Sequence, residues 1–202
     1  MDALNLLYDR QRKQYQIARQ NVQIINRKCH ELKVQIADLR RLQPDAAVSQ
    51  SLDEAEQAAR MYDANAATGN EVLDVVLTEK SLLCEAQRIR LNCVADGTCL
   101  AAIEPGDLYA LFSNLLDQAI DAAAQQRDTD RRMIDLLVCR RQGFAVVNVI
   151  GPHSAEQPDH GRRHSYELKV ARRIVHKYSG TMATEPRGAV SYTHLRAHET
   201  RR

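Results

Sequence analysis

Apolar or tolerated residues recur at Leu4, Tyr8, Gln11, Tyr15, Ala18, Val22, Ile25, Cys29, Leu32, Ile36 and Leu39, in alternating steps of four and three. This is the spacing of a heptad seam on one continuous helix. Such a helix is about 54 Å long at 1.5 Å per residue, too long to bury its stripe against so small a domain. Another helix, or another copy of the chain, is needed to cover it, and a homodimer is the expectation. Gln43-Pro44-Asp45 ends the helix, because proline disfavours helical geometry in the residue before it. A second helix is expected from Ser51, with Ser51 as N-cap and Glu54 three residues on in a capping-box pattern. Leu52, Ala55, Ala59, Tyr62 and Ala66 line one side of it, making it the antiparallel partner of the first helix. Two such hairpins build a four-helix bundle. Thr68-Gly69-Asn70 closes this unit, so residues 1–68 form a helical dimerisation hairpin and a second domain spans 69–189.

The pattern then changes. A helix from Glu71 to about Gln87 leads into Ile89-Arg90-Leu91-Asn92-Cys93-Val94, whose alternation predicts a half-buried strand. After a turn at Asp96-Gly97 and a short apolar segment, Glu104-Pro105-Gly106-Asp107 opens a helix over Leu108–Ala124. Met133–Cys139 and Phe144–Ile150 flank Arg141-Gln142-Gly143 and predict a β-hairpin. A polar stretch from Gly151 to Arg163, holding His153 and His160, precedes a basic helix from about Tyr166 to Tyr178, stopped by Ser179-Gly180. Strands and helices mix without strict alternation. The class is therefore α+β, with helices layered on one face of a mostly antiparallel sheet. Residues 190–202, Val190 to Arg202, resemble translated adapter sequence of the kind that ends many assembled metagenomic reads, and they are set aside from the fold. The natural sequence is then expected to be cut off near Ala189, so that the domain is C-terminally truncated and the strand that Thr181–Thr184 would pair with is missing.

Composition narrows the function classes. Lys and Arg exceed Asp and Glu by 28 to 26, too small an excess for a nucleic-acid footprint, so no nucleic-acid partner is expected. The five cysteines are scattered and without metal-ligand spacing, which predicts reduced thiols in a cytoplasmic protein. His153, His160 and His164 match no zinc pattern. No apolar run approaches the roughly 18 residues that span a bilayer, and no signal-peptide core follows Met1.

Two stretches carry chemistry. His30, in Cys29-His30-Glu31-Leu32-Lys33, follows a seam residue and so sits on the flank of the bundle. An imidazole, with an ordinary pKa of about 6.5, is a competent nucleophile at cytosolic pH, and Glu31 beside it is suited to orient the ring or take its proton. The second stretch is Asn114-Leu115-Leu116-Asp117-Gln118-Ala119-Ile120-Asp121-Ala122. Here Asn114 and Gln118, four apart, share a helix face, and magnesium takes oxygen ligands alongside substrate phosphates.

With their surroundings, Asn26–Leu39 and Gly69–Ala123, these stretches resemble the peptide-responsive branch of sensor histidine kinases. The ATP-binding part of that family belongs to the GHKL superfamily, shared with gyrase and the heat-shock chaperones. The resemblance covers roughly residues 15 to 185 and implies a GHKL two-layer α/β sandwich preceded by a long helical hairpin. It implies that His30 is the phosphoacceptor and Glu31 its acidic neighbour. It also implies that Asn114 binds Mg2+ through its amide oxygen, that Gln118 stands where relatives have a second asparagine, and that ATP is the cofactor. A response regulator is then the partner that receives the phosphate, and full-length relatives carry a membrane sensor domain.

Besides Gln118, the sequence departs from the family it resembles at three places. Ile150-Gly151-Pro152 stands where relatives place an adenine-binding Asn or Asp. His164-Ser165-Tyr166-Glu167-Leu168-Lys169 replaces a motif with two glycines, which let backbone N–H groups approach phosphate, and Glu167 adds repulsive charge there. Lys169, with Arg163, is placed to offset that charge, so Lys169 is a candidate cofactor-binding residue. Val34 occupies the position where phosphatase-competent relatives carry Asn or Thr, so little phosphatase activity is expected. The competing reading is a catalytically degenerate GHKL module that dimerises or sequesters a regulator.

Overall fold

A computed structural model describes residues 3–42, 52–53, 68–152, 161–185 and 189–196. Of the expected second hairpin helix, Leu52 and Asp53 are helical, and the rest lies outside the described residues, as do His153 and His160. Helix α1 runs Ala3–Leu42, as the heptad spacing predicts. Its seam, however, is divided. Ala18 and Val22 are buried in the core of the following domain, and the ring of Tyr15 lies 5.5 Å from that of Tyr109. Leu32 and Leu39 remain 44% and 48% exposed, with Ile17 and Ile24 similarly open. The middle part of the seam thus has other helices to cover it. Here helices of the same chain do so, because Tyr15, Ala18 and Val22 fall on one side at helical spacing.

Helix α2 (Glu71–Ala86) begins at the expected boundary, where the Asn70 side chain accepts the N–H groups of Val72 and Leu73 at 3.1 and 3.2 Å. That satisfies two of the donors every helix start leaves open. The boundary is tied to the segment after the first strand. Gly97 donates its N–H to the Thr68 carbonyl at 2.7 Å, and a Cβ on Gly97 would come within 2.6 Å of the Asn70 Cβ. Only glycine allows that approach.

Five strands follow in one sheet: β1 (Arg90–Ala95), β2 (Met133–Arg141), β3 (Phe144–Gly151), β4 (Thr181–Glu185) and β5 (Ala189–Arg196). Their spatial order is β1-β2-β3-β5-β4, parallel between β1 and β2 and antiparallel elsewhere. The β2–β3 hairpin turns at Gln142 (φ 49°) and Gly143 (φ 82°), the paired positive φ values of a type I′ turn, which matches the twist of the strands. In the structure Thr181–Glu185 pairs with part of the segment set aside above. Residues 189–196 insert as β5 between β3 and β4, with Thr181 opposite His194 and Phe144 opposite Arg196.

Helix α3 (Pro105–Ala124) takes Pro105 in its first turn, where the missing N–H costs nothing. Leu108, Leu111, Phe112, Leu115, Leu116, Ala119 and Ile120 are all buried. They share one core with Ile134, Leu136, Val138, Ala145, Val147 and Val149, the residues that alternate onto one face of β2 and β3. Each fully buried Leu, Ile or Phe contributes about 1.5–3 kcal/mol, which makes α3 the central helix of the domain. Helix α4 (Gly161–Lys177) adds Val170, Ala171, Ile174 and Val175 to that core. It ends with Ser179 in the left-handed region (φ 54°) and the Gly180 N–H on the Val175 carbonyl.

A polar clasp joins α1, α3 and α4. Asp107 in the first turn of α3 is 2% exposed and accepts from Lys177 Nζ at 2.5 Å and from the Tyr178 hydroxyl at 2.8 Å. The same hydroxyl accepts the Glu104 N–H at 2.9 Å, and the Glu104 carboxylate receives Arg12 of α1 and Lys177.

Candidate functional site

The polar face of α3 opens on a cavity of about 440 Å³, within the range of small-ligand sites. Ala18, Asn21 and Val22 of α1, Lys80 of α2, and Ser113, Asn114 and Asp117 of α3 are among its walls. Asn114 is half-buried, and its Nδ2 is buried without a hydrogen-bond partner among the described residues. A buried amide N–H without an acceptor costs about 1–3 kcal/mol, so this group is poised for an oxygen supplied from outside the chain. Gln118, one turn further along, is also half-buried. Among the described residues no three His, Cys, Asp or Glu side chains converge as a metal cage. Magnesium arriving with phosphates needs only one or two protein oxygens, and a half-buried amide on a cavity wall suits that donor set.

Charge on the wall is organised by Lys80. The residue is 5% exposed, its Nζ lying 2.7 Å from Asp117 Oδ1 and 3.5 Å from Glu79 Oε1. Burial works against the ammonium, but Asp117, and after it Glu79, outweigh burial and hold Lys80 above its ordinary pKa. Burial likewise keeps the Asp117 carboxyl above the usual carboxylate range, opposed by Lys80. The 2.7 Å contact identifies the pair as ionic. Glu79 Oε2 accepts from the Tyr109 hydroxyl at 2.9 Å, and burial followed by Glu79 raises that phenol well above its ordinary value.

His30 lies exposed on α1. The α1 wall of the cavity ends at Ile25, so His30 stands about 7.5 Å further along the helix axis at 1.5 Å per residue. Glu31 is also exposed and is engaged on its own helix, accepting from Lys28 at 2.7 Å with Arg27 at 3.9 Å. The Lys28 hydrogen bond and charge lower its carboxyl pKa. Lys169 is exposed on α4 and is not among the cavity residues, nor is Gln118. The structure thus brings Asn114 to the cavity and leaves His30, Glu31, Gln118 and Lys169 outside its lining.

Two positions on β3 fall as follows. Gly151 ends β3 buried, its Cβ position 3.7 Å from the Ala119 Cβ of α3. Asn148 alternates with Val147 and Val149, which belong to the core, and so projects from the opposite face of the strand. Sequence reasoning missed Lys80, Asp107 and Lys177. The signal for Lys80 was present: Val76 and Cys84, one turn before and after it, are apolar and buried, so a lysine interrupts an inward stripe.

Residues 103–190 match the family model described as the GHKL domain. Among solved structures, the chain is similar to the catalytic domain of histidine kinase ThkA in a nucleotide-free form. That match has 16% identity and a TM-score of 0.49, covering 63% of this chain and 91% of that one. It is also similar to Acinetobacter baumannii histidine kinase AdeS, with 14% identity and a TM-score of 0.47, covering 84% of this chain and 98% of that one. No curated protein matches the sequence. Among the described residues no helix is long and apolar enough to cross a membrane. The architecture is α+β, a helical N-terminal region followed by helices on a mostly antiparallel sheet, and the match to the GHKL domain model lies within residues 103–190 of it.

Proposed function

We propose that the chain is a fragment of a homodimeric sensor histidine kinase of the peptide-responsive branch, working in the cytoplasm with a response regulator as its partner. Bound Mg-ATP supplies the phosphoryl group and neutralises charge as it moves, the usual division of labour in phosphoryl transfer. Asn114 holds the metal through its amide oxygen, Gln118 assists from the same face of α3, and Lys169 offsets phosphate charge from α4. His30 would offer a ring nitrogen to the γ-phosphorus, with the bond to the bridging oxygen breaking and ADP leaving. Glu31, kept ionised by Lys28, takes up the ring proton that is released. The exposure of His30 on α1 leaves it accessible to a regulator's aspartate. The observation that carries this reading is the Asn114 side chain on an open cavity, its Nδ2 lacking among the described residues the acceptor that a phosphate oxygen would supply, within the segment that matches the GHKL model.

Incubation of the chain with γ-labelled ATP and magnesium is expected to give acid-labile, base-stable label. His30→Gln should abolish the label while nucleotide binding is kept, and Asn114→Asp should abolish both. An unmutated chain that binds Mg-ATP without becoming labelled supports the second reading, a degenerate binding module. Gly151 favours that reading, because the buried end of β3 presents no carboxylate or amide to an adenine.

A further inference from the structure

We propose that Lys80 is a positioning residue that masks Asp117, so that the α3 face carrying Asn114 and Gln118 can receive the phosphates of a nucleoside triphosphate. The inference rests on the nucleotide-binding reading above and names a residue outside the motifs that suggested it.

The wall beside Asn114 carries two carboxylates, Glu79 and Asp117, and one ammonium. Glu79 is engaged on both oxygens, by Lys80 at 3.5 Å and by the Tyr109 hydroxyl at 2.9 Å. Asp117 is three residues from Asn114 and adjacent to Gln118, and its Oδ1 lies 2.7 Å from Lys80 Nζ. Without that ammonium, a part-buried carboxylate, 39% exposed, would face incoming polyphosphate, and the like charges would repel. Lys80 does not itself serve as a phosphate ligand. Its side chain is 7% exposed and its ammonium is already committed to two acids. The pair also joins α2 to α3 one turn from Asn114, fixing where that amide points.

The test measures Mg-ATP affinity of the full chain by calorimetric titration, beside urea denaturation, for Lys80→Met, Lys80→Arg, Asp117→Asn and the Lys80→Met/Asp117→Asn double variant. Lys80→Met should weaken binding about tenfold, with a steeper dependence on ionic strength. Lys80→Arg, which keeps the charge, should bind within about threefold of the unmutated chain. Asp117→Asn alone leaves Lys80 with Glu79 and should tighten binding, and the double variant should recover most of the lost affinity. A merely structural role predicts otherwise: the folded fraction of Lys80→Met binds normally, Asp117→Asn weakens binding, and the double variant gains nothing. Any of those results overturns the proposal, and Asp117→Asn decides it even where Lys80→Met does not fold. If the unmutated chain binds no Mg-ATP, the nucleotide reading itself falls and takes the mask with it. If it binds while Lys80→Met is unchanged, the mask alone falls.

Discussion

Replacing Asp107 with alanine removes the acceptor at the centre of the clasp between α3 and α4. Two hydrogen bonds are lost, from Lys177 Nζ at 2.5 Å and from Tyr178 at 2.8 Å, each to a charged group and each worth about 1.5–3 kcal/mol. Breaking a fully buried ion pair by removing one partner costs about 3–5 kcal/mol. The Lys177 side chain is 49% exposed, however, so its ammonium regains much of its hydration and its share is discounted. The Tyr178 hydroxyl keeps the Glu104 N–H as donor but loses its own acceptor. The expected loss is about 3 kcal/mol, a fall in melting temperature of roughly 10–15 °C for a domain of this size. Asp107→Asn keeps the volume and one acceptor oxygen, so about half that loss is expected. Urea denaturation followed by far-ultraviolet dichroism measures both. If Asp107→Ala costs less than about 1 kcal/mol, the clasp is not what joins the two helices, and the reasoning from its burial is wrong.

Alkaline stability tests a second buried group. Burial pushes the Cys84 thiol from its ordinary 9.0 to about 11, so the native state favours the neutral form. That contribution is complete below pH 9 and is lost as pH climbs through 11, about 3 kcal/mol in all. Denaturation midpoints at pH 8, 9.5 and 11 should fall in the parent chain and less steeply in Cys84→Ala. The attachment of α1 is apolar rather than ionic. Arg12→Ala, removing an exposed bridge to Glu104, should cost no more than about 1 kcal/mol and less in high salt. Val22→Asp should release α1 to limited proteolysis, because a carboxylate cannot be buried there unpaired.

Local signals carried most of the fold into the sequence. Gln142-Gly143 specified its own turn, Asn70 its own cap, and the apolar periodicities of α1 and α3 their helices, because each depends on neighbours within a few residues. What escaped was decided at long range. The seam of α1 is read correctly as apolar, but period alone does not say that Ala18 and Val22 meet the domain of the same chain while Leu32 and Leu39 stay open. Likewise Asn114 stood out by motif, whereas Lys80 became visible only once α2 was laid against α3 and an interrupted stripe became an ion pair. Asp107 resembled an ordinary acidic first-turn residue. Its partners, Lys177 and Tyr178, lie some seventy positions away. The strand at 189–196 was missed for another reason: its composition suggested a foreign origin, and composition is silent about backbone pairing.

The placement of β5 has a consequence for how this sheet is completed. Strand β5 occupies an interior slot, while β4, before it in the sequence, lies at the margin. Without a strand in that slot, β3 and β4 would each hold an open row of amide and carbonyl groups, a ready template for a stranger's strand. A variant with that slot empty would present a split surface prone to self-association.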